Sequence, residues 1–99
     1  MYRTLAIFPK TADPALVEDL VQRSAAAFKA SAGFLRATTS VDALMGPSAR
    51  AGEHGVILEA DFESLEDALA ALNSDSLGAD KERTESLQPV LLLFECRDI

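Results

Sequence analysis

Apolar and polar positions along this chain alternate with two different periods, and six segments follow from them. Tyr2-Arg3-Thr4-Leu5-Ala6-Ile7-Phe8 is rich in strand-forming residues and stops at Pro9, which predicts a first strand. Asp13-Pro14 is a helix start, because Asp13 can cap exposed backbone N–H groups and Pro14 suits the first helical position. Leu16, Leu20, Val21, Ser24, Phe28 and Ser31 then recur at helical spacing, with Lys29 near the end and Gly33 as the stop. Phe34 to Leu44, with Thr38, Thr39 and Val41, predicts a second strand broken by Gly46-Pro47. Met45 to Gly55 reads as a loop and Val56 to Phe62 as a third strand. Ser64-Leu65-Glu66-Asp67 resembles a capping box with Asp in place of Glu, and Leu65, Ala68, Leu69 and Leu72 form a helical stripe behind it. Asn73 to Ala79 reads as a break, and Asp80 to Leu87 as a short helix or its continuation. After Pro89, Val90 to Cys96 predicts the last strand.

The order is β-α-β-β-α-β, which predicts one α+β domain over residues 1–99. Two such units commonly form a four-stranded antiparallel sheet in the order 4-1-3-2 with both helices on one face, the ferredoxin-like arrangement. The last strand is then an edge. It is apolar at five consecutive positions, Val90 to Phe94, and so requires cover on both faces. Polarity divides the strands into two faces. Tyr2, Thr4, Ala6, Phe8, Leu35, Ala37, Thr39, Val41, Val56, Leu58, Ala60, Phe62, Val90, Leu92, Phe94 and Cys96 are expected under the helices. Arg3, Leu5, Ile7, Phe34, Arg36, Thr38, Ser40, Ile57, Glu59, Asp61, Leu91, Leu93, Glu95 and Arg97 are expected on the open face. Apolar residues outside the helix layer mark an interface or pocket. The expected partner is a second copy of the chain, seated on Leu5, Ile7, Ile57, Leu91 and Leu93.

Composition narrows the function. Among 99 residues, 48% are hydrophobic and 25% charged, as in ordinary globular proteins. A net charge of −7 argues against nucleic acid or an anionic membrane as partner. No signal peptide or membrane-spanning run of about 20 apolar residues is seen. The single cysteine, Cys96, cannot form an internal disulfide, fits a reducing cytoplasm, and reads as a small buried hydrophobe.

Little in the chain carries chemistry by itself. His54, between Glu53 and Gly55 at the mouth of the third strand, is the one imidazole for acid–base work. One His and one Cys do not make a zinc or copper site, so no metal is expected, and no cofactor motif is present. Asp61, Glu63, Glu66 and Asp67 bracket a helix N-terminus, where negative charge is favourable anyway. On the open face, Arg36 and Glu59 fall on neighbouring strands, as do Arg3 and Glu95. Opposite charges across strands most often neutralise one another. The functional alternative is a cavity lined by Arg3, Arg36, Thr38, Glu59 and Glu95.

The opening Tyr2-Arg3-Thr4-Leu5-Ala6-Ile7-Phe8, Gly33-Phe34, Ala60 to Ala68, Ala70-Ala71-Leu72-Asn73-Ser74 with Asp80, and Leu92-Leu93-Phe94-Glu95 together resemble the dimeric α+β barrel superfamily, most closely its EthD-type small proteins. The resemblance implies a homodimer whose sheets face each other around a small-molecule pocket. Relatives include proteins of degradation pathways, cofactor-free monooxygenases, isomerases and cyclases. Such relatives often carry a His in the first helix, and Leu16 to Ser31 has none. The chain also lacks the Trp that haem-degrading relatives use, so catalytic residues do not carry over. The reading is a homodimeric small-molecule-binding or pathway-accessory protein. The alternative is a cofactor-free monooxygenase or isomerase with His54 or Glu59 as base. A regulatory amino-acid-binding module of the ACT type shares the element order, but usually accompanies a second domain.

Overall fold

The computed structural model describes residues 1–9, 12–44, 54–74, 87 and 89–99, with the side chains of 41–44 and 54 left out. The elements run β1 (Tyr2–Phe8), α1 (Pro14–Lys29), β2 (Phe34–Leu44), β3 (His54–Phe62), α2 (Leu65–Leu72) and β4 (Val90–Glu95). The strands form one four-stranded sheet in the order β2-β3-β1-β4, with antiparallel neighbours, as the element order predicts. The loop expected at Met45–Gly55 lies outside the described residues, except that β3 already includes His54 and Gly55. The break and short helix expected between Asn73 and Leu87 lie largely outside them too.

Local signals set the helix boundaries. The Asp13 carboxylate accepts from the Ala15 N–H at 2.9 Å, and Pro14 opens α1. The Ser64 hydroxyl accepts from the Asp67 N–H at 3.1 Å, while Glu66 and Asp67 occupy the first turn of α2, where the helix dipole favours them. Gly33 turns the chain out of α1 with φ +72°, a left-handed conformation suited to glycine, and its carbonyl accepts from the Glu63 N–H at 2.9 Å.

The core lies between the helices and one face of the sheet. It joins Val17, Leu20, Val21 and Phe28 of α1 and Ala68 and Ala71 of α2 to Phe8, Leu58, Ala60 and Phe62 of the strands, with Leu87. Phe62 is its centre: Phe28 and Phe34 meet its ring edge-on, at centroid distances of 5.7 Å and 6.2 Å. The α1 stripe buries Leu20, Val21, Ser24 and Phe28 as expected and departs at its start, while the α2 stripe is rotated. Val17 replaces Leu16 on the buried side of α1. On α2 the small Ala68 and Ala71 are buried, while Leu65 and Leu69 stay exposed. Alanines let the helix sit close to the sheet, which displaces the longer leucines outward.

The face assignment needs correction at both edge strands. On β1 and β3 it matches the register: Thr4 opposes Ala60 beneath the helices, while Arg3 opposes Asp61, Leu5 opposes Glu59 and Ile7 opposes Ile57 on the open face. On β4 it is reversed. Thr4 opposes Leu93 and Tyr2 opposes Glu95, so Leu91, Leu93 and Glu95 share the helix face. Val90, Leu92 and Phe94 stand on the open face, opposite Ile7, Leu5 and Arg3. A continuous apolar run carries no alternation from which register can be read. On β2 a bulge intervenes: Phe34 opposes Phe62, but Arg36 opposes Asp61, leaving Leu35 between them. Phe34 therefore enters the core, and Leu35 is 46% exposed.

Candidate functional site

The open face is divided by chemistry. Its charged part lies across the Arg3–Asp61 end of β1 and β3 and continues onto β2. Arg3 Nε donates to Asp61 Oδ1 at 2.8 Å, and Arg3 Nη2 donates to Asp61 Oδ2 at 3.2 Å. The same Nε lies 2.8 Å from Glu59 Oε1. Arg36 approaches from β2, with its Nε 3.7 Å from Asp61 Oδ2. The Asp61 carboxylate is thereby 0% exposed, although it stands on the face away from the helices. The guanidinium of Arg3 is held firmly in its charged form, first by the Asp61 hydrogen bonds against the cost of burial, with the Asp61 and Glu59 charges adding to it. Thr38 opposes Glu59 and Ser40 opposes Ile57, which puts two exposed hydroxyl residues on the same face.

The apolar part is formed by Leu5, Ile7 and Ile57 with Leu92, Val90 and Phe94 from β4. The first three are half-buried; the β4 residues are exposed, Leu92 at 46%. Cys96, expected beneath the helices, follows Phe94 by two positions, and its backbone N–H donates to the Met1 carbonyl at 2.8 Å.

Of the expected site residues, the fold brings together Arg3, Arg36, Thr38 and Glu59. The pairings differ from expectation: Arg3 and Arg36 meet at Asp61, not through Glu95 and Glu59. Glu95 belongs to a separate cluster. Its carboxylate accepts from the Tyr2 hydroxyl at 3.0 Å and from Arg97 Nε, on the face that carries Tyr2 into the core margin. These contacts hold the Glu95 carboxyl below its ordinary range, Arg97 first and Tyr2 second, and the Tyr2 phenol is pushed up by its hydrogen bond to Glu95. His54 opens β3 opposite Leu44, and its side chain lies outside the described residues. Asp61, outside the expected set, is the centre on which Arg3 and Arg36 converge. Its neighbours Glu63, Glu66 and Asp67 suggest helix-terminal charge, but its period-two relation to Glu59 places it on the open face. Among the described residues no group of three or more His, Cys, Asp or Glu side chains is placed to hold a metal. Among them, too, no helix is long and apolar enough to cross a membrane.

Scans against known protein families and against curated protein sequences find no match. Solved structures do match. A variant of the cofactor-independent oxygenase SnoaB from Streptomyces nogalater is 20% identical, with a TM-score of 0.76 over 99% of this chain and 94% of that one. A dimeric ferredoxin-like protein of unknown function from Thermobifida fusca is 16% identical, with a TM-score of 0.67 over 96% of this chain and 90% of that one. An EthD family protein from Bacillus halodurans is 14% identical, with a TM-score of 0.67 over 98% of this chain and 99% of that one. The chain has the ferredoxin-like α+β fold that these structures share. It resembles the EthD family protein in this way, and at these identities the likeness describes the fold. What the chain shares with these structures is the overall fold. What fills the open face here is this chain's own set of residues.

Proposed function

We propose that the chain, one domain over residues 1–99, acts as a homodimer whose open sheet faces close around a small, partly apolar molecule, in a binding or pathway-accessory role. The observation that carries this reading is the make-up of the open face. Leu5, Ile7, Ile57, Val90, Leu92 and Phe94 form an apolar area that needs cover, and it adjoins a fixed Arg3–Asp61–Glu59 cluster with Arg36 at its rim. The Thermobifida fusca structure, described as dimeric, supports the assembly by likeness of fold. Sedimentation equilibrium at micromolar protomer concentration is the first test. A dimer supports the reading, and a monomer removes it. A diffraction map of the dimer then decides the second half, since a face packed solid leaves a plain structural dimer with no ligand space.

A second reading, a cofactor-free monooxygenase or isomerase, draws support from the fold shared with SnoaB and from Glu59. That carboxylate is half-buried and oriented by Arg3 on the face where substrate would lie. His54 is the other candidate base. If turnover of an identified substrate survives both Glu59→Gln and His54→Ala, neither residue is the base.

A further inference from the structure

We infer that the molecule bound on the open face is an organic anion, an apolar body bearing a carboxylate, and that Arg36 is the group that selects it. This rests on the reading of that face as a ligand cavity and names the class of ligand. Among the described residues the face carries two carboxylates and two guanidinium groups, but they are not matched pair to pair. Arg3 takes both oxygens of Asp61, and the same Arg3 also meets Glu59. Arg36 is left with Asp61 Oδ2 at 3.7 Å, too long for a hydrogen bond, and this is its only partner among the described residues. Its side chain is 62% exposed. Among the described residues, one planar fork of N–H donors thus remains open on a face otherwise made of satisfied ions and hydrocarbon.

The fold reinforces this. The bulge at Leu35 allows Phe34 to enter the core and Arg36 to reach the open face in consecutive turns of the strand. With regular alternation from the Phe34–Phe62 pair, residue 36 would oppose Ala60 beneath the helices. Bulges of this kind re-aim a side chain next to a site. Thr38 and Ser40, exposed on the same strand and face, supply hydroxyls beside the guanidinium. A carboxylate meets such a fork in bidentate fashion, while Ile57, Leu5 and Leu92 lie across the neighbouring strands to take the apolar remainder. A neutral molecule leaves the fork unpaired as the face closes, which is costly.

Calorimetric titration of the intact protein with 1-naphthoate and with its neutral amide, 1-naphthamide, tests the assignment. The acid is expected to bind about tenfold more tightly or better, the usual worth of a hydrogen bond to a charged group. Arg36→Gln is expected to erase that preference without weakening the amide, and Arg36→Lys to keep part of it. Methyl NMR of Ile57 and Leu92 reports whether either probe occupies the face. Equal binding of acid and amide on that face overturns the anion assignment and leaves the cavity intact. A dimer on which neither probe shifts those methyls overturns the cavity reading, and this inference with it. A preference unchanged in Arg36→Gln overturns the role of Arg36. Weakened dimerisation in Arg36→Gln, where the unsubstituted protein binds the two probes equally, assigns Arg36 to the subunit interface instead.

Discussion

Arg3 seals Asp61 from solvent on a face the helices do not cover: two hydrogen bonds, at 2.8 Å and 3.2 Å, join the guanidinium to both carboxylate oxygens, and Asp61 is 0% exposed. A carboxylate so enclosed depends on its partner, because neither oxygen has water in place of a lost bond. Asp61→Ala is expected to destabilise the protein by about 1.5–3 kcal/mol, the range for hydrogen bonds to charged groups. Urea unfolding at fixed protomer concentration measures it, since the proposed dimer would make stability concentration-dependent. A coupled loss in the Arg3→Gln, Asp61→Asn cycle confirms the pair, and additive effects refute it.

Gly33 is constrained twice. Its φ of +72° is left-handed, and a Cβ built there would stand 2.8 Å from Asp67 Cβ and closer still to that carboxylate. Gly33→Ala therefore carries about 1–2 kcal/mol of backbone cost, plus the displacement of Asp67 from the first turn of α2. The midpoint of thermal unfolding is expected to fall clearly. An unchanged midpoint would mean that the turn relaxes to a right-handed conformation.

Local chemistry in the sequence located most elements. Asp13-Pro14 and Ser64 to Asp67 mark helix starts because a cap needs only residues near it in the chain. The alternation of β1 and β3 located Arg3, Glu59 and the apolar Leu5, Ile7 and Ile57. The rest depended on pairing. The run Val90 to Phe94 fits either register equally well, so only contact with β1 decides that Leu92, not Leu91, faces outward. Leu35 leaves no local mark of the bulge that turns Phe34 inward. The Arg3–Asp61 pair spans 58 positions, and its specificity over Arg3–Glu95 follows from strand register alone.

Tyr2 supplies an optical test of the second cluster. It is the chain's one tyrosine, and there is no tryptophan. Its hydroxyl donates to Glu95, so losing the proton destroys the bond and brings two negative charges together. The phenol is expected to titrate above its ordinary value of 10.0. Because the folded value is the higher one, the contact contributes stability below pH 10.0 that is lost as pH rises through the folded value. For Glu95 the sign is opposite: its contribution is present above the ordinary 4.5 and is lost as pH falls through the lowered folded value. Phenolate absorbance in Glu95→Gln is expected to rise at lower pH than in the unsubstituted protein. Superimposable curves would show that the bond does not form in solution.

The register of β4 makes the dimer proposal sharply testable, because adjacent leucines stand on opposite faces. Leu92 opposes Leu5 on the open face, and Leu91 opposes Ala6 on the helix face; both are substantially exposed, at 46% and 60%. Exposure alone does not distinguish them, but a partner seated on the open face does. Leu92→Glu places a charge in the interface twice, once from each protomer of a two-fold dimer. Burial of a leucine contributes about 1.5–3 kcal/mol, so dissociation is expected to become easier by on the order of a hundredfold or more. Leu91→Glu is expected to leave the dimer constant within a few-fold. Sedimentation equilibrium of the two variants compares them directly, with circular dichroism to confirm that both fold. Dissociation by Leu91→Glu alone would place the partner on the helix side. Equal weakening by both would assign the contact to the free edge of β4, where backbone groups rather than one face of side chains would join the subunits.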